Sequence, residues 1–265
     1  MQSLFDAAAL CLATADPGEK AALTQRCAAA FACGELAIPE DAPVPEPIRM
    51  PGRPSKPRLV HPRDLPRRGF GTVEGRAAFI HAVCHIELNA IDLGWDAAYR
   101  FRGLPREFYA DWVSVANDES RHFAMLRKRL QELGYDYGDF DAHNGLWEMC
   151  EKTAHDGLAR MALVPRVLEA RGLDVTPGMI AKLRSLGDDA TADILVVILR
   201  EEVGHVAAGS RWYRWYCGQR GIDPRSRFRE LLREYAGGYL HGPFNLEARL
   251  SAGFDEDELA ALEAP

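Results

Sequence analysis

Two short patterns carry the chemistry this sequence can do: Glu119-Ser-Arg-His122 and Glu202-Val-Gly-His205. At about 3.6 residues per helical turn, positions i and i+3 stand one above the other on one face, so the carboxylate and imidazole of each pattern can reach one cation. Either pattern alone is a common accident of composition. Their arrangement is not: Glu87 precedes Glu119 by 32 residues, and Glu169 precedes Glu202 by 33. The chain reads as an approximate internal repeat, a helix with a central glutamate followed by a Glu-x-x-His helix, twice. One glutamate from each of two helices and Glu-x-x-His from each of two others is a donor set for two metal ions inside a four-helix bundle.

The residues around these groups agree with that placement. Ile80, Val83, Cys84, Glu87 and Ile91 share one helical stripe, as do Val115, Glu119, His122, Phe123 and Leu126. Leu195, Ile198, Leu199, Glu202, His205 and Val206 form a third; the face of Ala162, Pro165, Arg166, Glu169 and Leu173 is less clean. A carboxylate set in an apolar stripe faces the core, where an unpaired charge is costly and a cation removes the cost. Four carboxylates balance two divalent ions, and with two imidazoles they suit iron or manganese, in the absence of any thiolate cluster of zinc-site spacing.

Positioning these groups requires long helices, and the sequence marks their ends. Ser3 and Asp16-Pro17 open two short helices, the second stopped by Gly34; Thr72 caps a helix to about Arg102, with Gly103 as its stop. Pro105 opens the next, to about Glu132, and a turn-rich stretch runs from Gly134 to Gly145. A third long helix is expected from about Leu146 to Arg171, kinked or locally broken at Pro165, and then a short connector helix opened by Thr176-Pro177. The fourth runs from about Asp188 to Gln219, stopped by Gly221; further helices follow Asp223-Pro224 and Phe254. No strand is expected.

The remaining composition bounds the setting. Apolar residues make up 47% of the 265, as in an ordinary globular protein, and the net charge of −7 gives no general attraction to nucleic acid or to an anionic membrane. The six cysteines form no CxxC pair, which fits free thiols in a cytoplasm. The apolar stretch Ala7–Ala15 is too short to span a membrane and lacks the basic start of a signal peptide. Nine of the sixteen prolines fall between residues 39 and 66, so this stretch is an extended arm. Between Arg49 and Arg68 it carries seven basic residues against one acid, Asp64; it either lies across the acidic remainder or meets an anionic substrate or RNA. Three regions follow: 1–70 with the short helices and arm, 71–240 with the bundle, and an acidic tail at 241–265.

The stretches His85–Leu93, Asp118–Phe123, Leu163–Pro177 and Glu201–His205 resemble the ferritin-like superfamily of di-iron carboxylate proteins, and within it a bacterial family known as a domain of unknown function. The resemblance covers about residues 70 to 240. It implies a ferritin-like four-helix bundle with extra terminal helices, and two iron ions, or manganese, held by Glu87, Glu119, His122, Glu169, Glu202 and His205. The run Asp118-Glu-Ser-Arg-His122 is similar to the Asp-Glu-x-Arg-His motif of bacterial di-iron oxygenases, whose leading acid orients a ligand histidine on the opposite helix. Asp118 takes that part here, and Glu201 stands at the matching position of the other half. The implied chemistry is O2 activation, with a hydroxylase or oxidase of an unidentified substrate as the leading function and an external reductase supplying electrons. Alternatives are a ferroxidase or iron-handling protein, a hydroxylase of isopentenylated adenosine in tRNA, against which the net charge speaks, and a helical binding protein without chemistry. A ribonucleotide-reductase subunit is disfavoured because Leu126 stands where its radical tyrosine belongs.

Other chemistry-bearing residues have simpler expected roles. His85 points nearly opposite to Glu87, about 200° around the helix, so His81 and His85 are expected to be structural. His155, 14 residues before Glu169, is too far along the third helix to join it. The aromatic group Trp212, Tyr213, Trp215 and Tyr216 is expected to pack in the core or a homodimer interface.

Overall fold

Side-chain caps set the first helices where the spacing places them. Ser3 Oγ accepts the Asp6 amide at 3.1 Å at the start of α1 (Leu4–Ala13), and Asp16 Oδ1 accepts that of Glu19 at 2.8 Å at the start of α2 (Pro17–Ala32). Thr72 Oγ1 does the same for Gly75 at 3.0 Å, opening α3 (Val73–Arg100), and Pro105 precedes α4 (Arg106–Glu132). The computed structural model describes residues 2–66, 68–237 and 240–263; Arg67 of the basic arm and the last two residues of the acidic tail lie outside them. Among the described residues the chain is all-α, with no strand and only two isolated bridges, Ser3 to Ala37 and Leu59 to Ala142. It divides into two compact units, residues 1–148 and 149–265, and each holds one half of the internal repeat.

In the first unit α3 packs along α4 on the face that carries Glu87. Gly94, two turns beyond Glu87, makes this close approach: a Cβ there would lie 2.9 Å from the Trp112 carbonyl oxygen and 3.0 Å from Ala116 Cβ. α1 and α2 cover the pair, and the buried Lys20 of α2 makes an ion pair with the buried Asp92 of α3. The arm is extended as expected, with one 3-10 turn at Pro62–Asp64. It is fastened to its own unit: Trp147 Nε1 donates to the Arg49 carbonyl at 2.7 Å, the Gly52 amide to Leu12 at 2.6 Å, and Arg58 Nη2 to Asp141 at 2.6 Å.

The second unit corrects the expected third helix in two places. α5 (Gly145–Lys152), which crosses the division between the units, stops early, and α6 (Gly157–Leu163) starts anew. Asp156 caps α6 by accepting the Leu158 amide at 3.0 Å, while buried Arg160 reaches back to the Cys150 carbonyl and Thr153 Oγ1. His155 therefore sits in the break, and its expected position along a continuous helix lapses. At Pro165 the chain forms a π-helical segment, Val164–Glu169, rather than a simple kink; the Ala170 amide reaches the Pro165 carbonyl five residues back. Thr176-Pro177 does not open a connector, because α7 (Ala170–Ser185) runs straight through Pro177. Proline has no N–H for the Leu173 carbonyl, and Asn245 Nδ2 donates to that oxygen instead at 3.1 Å.

α8 (Asp189–Arg220) begins with Asp188 accepting the Thr191 amide and stops at Gly221, φ +62°. α9 (Pro224–Tyr235), α10 (Leu246–Ser251) and α11 (Glu256–Glu263) complete the unit. Trp212, Tyr213 and Tyr216 are buried, with Tyr213 edge-on to Phe228, so most of the aromatic group on α8 is core. One turn beyond His205, Gly209 lets α8 touch the π segment: a Cβ there would lie 2.2 Å from Pro165 Cγ. Gly209→Ala is expected to cost about 1–3 kcal/mol through overpacking. Urea unfolding checks this, and an unchanged midpoint would contradict the close contact. All six cysteines are free, and among the described residues no helix is long and apolar enough to cross a membrane.

Candidate metal centre

α3 and α4 bring Glu87, Glu119 and His122 together in the first unit. All three are buried, at 3%, 0% and 0% exposure, and one ligand atom from each lies within 4.8 Å of the others. His122 Nδ1 stands 3.1 Å from Glu87 Oε2 and 3.3 Å from Glu119 Oε2. The Glu119–His122 spacing of one turn is local; Glu87 is added by the Gly94 contact, which draws its face of α3 against α4.

The electrostatics of this cluster are those of a group that could hold a cation. Burial, then the neighbouring Glu119 carboxylate, raises the Glu87 carboxyl well above the usual range. Burial alone would lower His122, but its contacts with Glu119 and Glu87 push it up to about 11. The cluster thus holds protons where charge would otherwise be uncompensated. A divalent ion can replace them, because two carboxylates and an imidazole are a competent donor set for iron, manganese or zinc. Cys84 lies beside these acids, its Sγ 3.8 Å from the Phe123 carbonyl; burial and then Glu87 raise its pKa well above that of a free thiol. It is therefore an uncharged thiol beside the cluster.

The second unit carries the matching half-set. Glu202 and His205 stand one turn apart on α8, with His205 Nδ1 3.5 Å from Glu202 Oε1; His205 is buried and Glu202 half-buried. Glu169 is the last residue of the π segment, which packs on α8, and is half-buried. Of the two acids expected to orient ligand imidazoles, Asp118 accepts Arg121 Nη2 at 2.6 Å and Glu201 accepts Arg200 Nη2 at 3.3 Å.

His81 and His85 are structural, as their helical angle predicts. Burial lowers His81 to about 4 and His85 to about 3, so both are neutral. His81 Nε2 accepts the Gly138 amide at 2.9 Å, while His85 meets the Tyr137 hydroxyl at 2.8 Å and the His143 carbonyl at 3.0 Å. Sequence reasoning passed over what surrounds His85. Asn89 and Asp92 stand four and seven residues on, making a polar stripe on α3 away from Glu87, and the same periodicity that exposed the metal ligands marks it.

Comparison with known proteins adds family and no chemistry. The chain is 51% identical over 213 residues to an uncharacterized protein of Haemophilus influenzae, covering 78% of this chain and 74% of that one. No solved structure matches it. The family described as protein of unknown function (DUF455) matches residues 13–260, nearly the whole length, and the chain belongs to that family.

Proposed function

We propose that Glu87, Glu119, His122, Glu169, Glu202 and His205 together hold two iron ions, with manganese as the alternative metal, within a ferritin-like four-helix bundle. The observation that carries this reading is the buried Glu87–Glu119–His122 cluster, whose donors suit a cation and whose carboxylates are expensive without one. The repeat supplies the other half, Glu-x-x-His on α8 with a preceding glutamate, and a π segment ending on Glu169 is a feature that recurs at functional sites.

Two such irons supply reduction of O2 coupled to oxidation of a substrate. The chain's own part is to hold the donors in place, keep the cluster dry and manage protons: Glu87 and His122 give theirs up as a cation enters. On this reading the protein is a di-iron oxidoreductase, a hydroxylase or oxidase supplied with electrons by a separate reductase. The expected result is O2 uptake when Fe(II) is added to metal-depleted protein, measured with an oxygen electrode, and none with Zn(II). No uptake beyond that of free Fe(II), or activity with Zn(II) in the absence of O2, would overturn the redox reading.

A further inference from the structure

The first unit contains a cavity system that the metal reading does not use. The arm, the α3 stripe of His85, Leu88, Asn89 and Asp92, and Tyr137 line a half-open cavity of about 320 Å³. A smaller one of about 160 Å³ adjoins it across His85 and Asn89. Helical angle sets this stripe on the opposite side of α3 from Glu87. The larger volume lies near the lower end of small-molecule sites, which fits a compact organic ligand and not a nucleotide.

The charge in the wall is uneven in an informative way. Asp92 is taken by Lys20, and Arg58 by Asp141 through two hydrogen bonds. His85 is neutral, with both ring nitrogens engaged. Arg53 is different. Its Nη2 donates to a neutral partner, Asn89 Oδ1, at 2.6 Å, and its buried Nε has no hydrogen-bond acceptor in the protein. Asn89 is itself fixed by donating to the His85 carbonyl at 2.6 Å. This partly buried guanidinium is braced by an amide, and Asp92, the acid whose field reaches it, is already paired with Lys20, so the wall carries one net positive charge. The rest of that wall is largely apolar, from Met50, Pro54, Pro57, Leu59 and Leu88.

We infer that this cavity binds a small organic monocarboxylate, its carboxylate on Arg53 and its apolar body against Leu59 and Leu88. A single uncompensated guanidinium matches a single negative charge better than a phosphate dianion, and its planar fork suits a carboxylate. The apolar wall gives inorganic anions little to hold. The arm thereby gains a role: it furnishes the cation and one wall of the site, which a solvated basic segment would not do. This assignment stands apart from the metal reading and survives its failure.

Calorimetric titration of the full-length, metal-depleted protein tests it, with benzoate, inorganic phosphate and the cation benzamidine as probes. Benzoate is expected to bind in preference to both others, and Arg53→Gln to weaken it by about tenfold or more. Arg53→Lys should recover part of that loss. Leu59→Trp, which fills the cavity from the arm, should abolish binding in a variant whose circular dichroism is unchanged. Glu119→Gln should leave benzoate binding intact, which separates this site from the metal cluster. Phosphate binding as well as benzoate, benzamidine binding equally, benzoate affinity unchanged in both Arg53→Gln and Leu59→Trp, or no benzoate binding at all would each overturn the assignment.

Discussion

Glu119→Gln is expected to abolish stable metal loading while leaving the metal-free protein at least as stable as the wild type. The substitution keeps the shape of the side chain and removes one of two carboxylates buried beside His122. Removing an outer partner of a metal ligand already costs about 10–100-fold in affinity, and loss of a ligand should exceed that. In the metal-free protein the effect has the other sign. The Glu119 charge is one of the causes that keep Glu87 protonated; without it Glu87 is free to ionise and take over the charge opposite His122, at no loss of volume. Metal content after iron reconstitution, set beside thermal unfolding of the metal-free forms, reads both effects. Retained iron in Glu119→Gln would remove Glu119 from the ligand set. A large destabilisation of the metal-free variant would make Glu119 a structural hydrogen-bonding group.

The second large effect lies in the other unit and concerns its stability. Arg166 is fully buried, paired with Glu258 of α11 at 2.6 Å, and its guanidinium lies 4.5 Å from the ring centres of Phe228 and Phe254 and 4.9 Å from that of Tyr213. Glu258→Ala would leave that cation buried with no carboxylate, a loss of about 3–5 kcal/mol. The same change removes the reciprocal cap at the start of α11, where Glu258 Oε2 accepts the Asp255 amide at 3.0 Å. Arg166→Met should cost much less, because Glu258 keeps Arg214 Nη2 at 3.4 Å and the Asp255 amide as partners while three rings line the space for an apolar chain. Urea unfolding of the two variants distinguishes the cases. Equal losses, or a loss under about 1 kcal/mol in Glu258→Ala, would show that the pair is not the tether of the C-terminal helices.

What was legible in the sequence is what depends on neighbours a turn away. The caps at Ser3, Asp16 and Thr72, the helix start near Asp188, and the stops at Gly34 and Gly221 are local geometry and lie where the spacing placed them. The pairing of Glu119 with His122 and of Glu202 with His205 is equally local. The errors came from groups remote in sequence. Pro177 looked like a helix start because its missing hydrogen bond is replaced by Asn245, which only the fold brings there. The break before α6 depends on buried Arg160 satisfying the end of α5, and the π segment on the fit between Pro165 and Gly209. The cavity beside Arg53 escaped notice because its wall joins the arm, α3 and the loop of Tyr137, and spacing marks only the α3 part of it.

The most direct test of the metal centre is anomalous diffraction from crystals of iron-reconstituted protein, recorded on both sides of the iron absorption edge. Two iron peaks per chain are expected, with Glu87, Glu119 and His122 among the ligands and Glu169, Glu202 and His205 completing the set. No anomalous peak at Glu87, Glu119 and His122, with these acids bonded only to protein groups, would contradict the account.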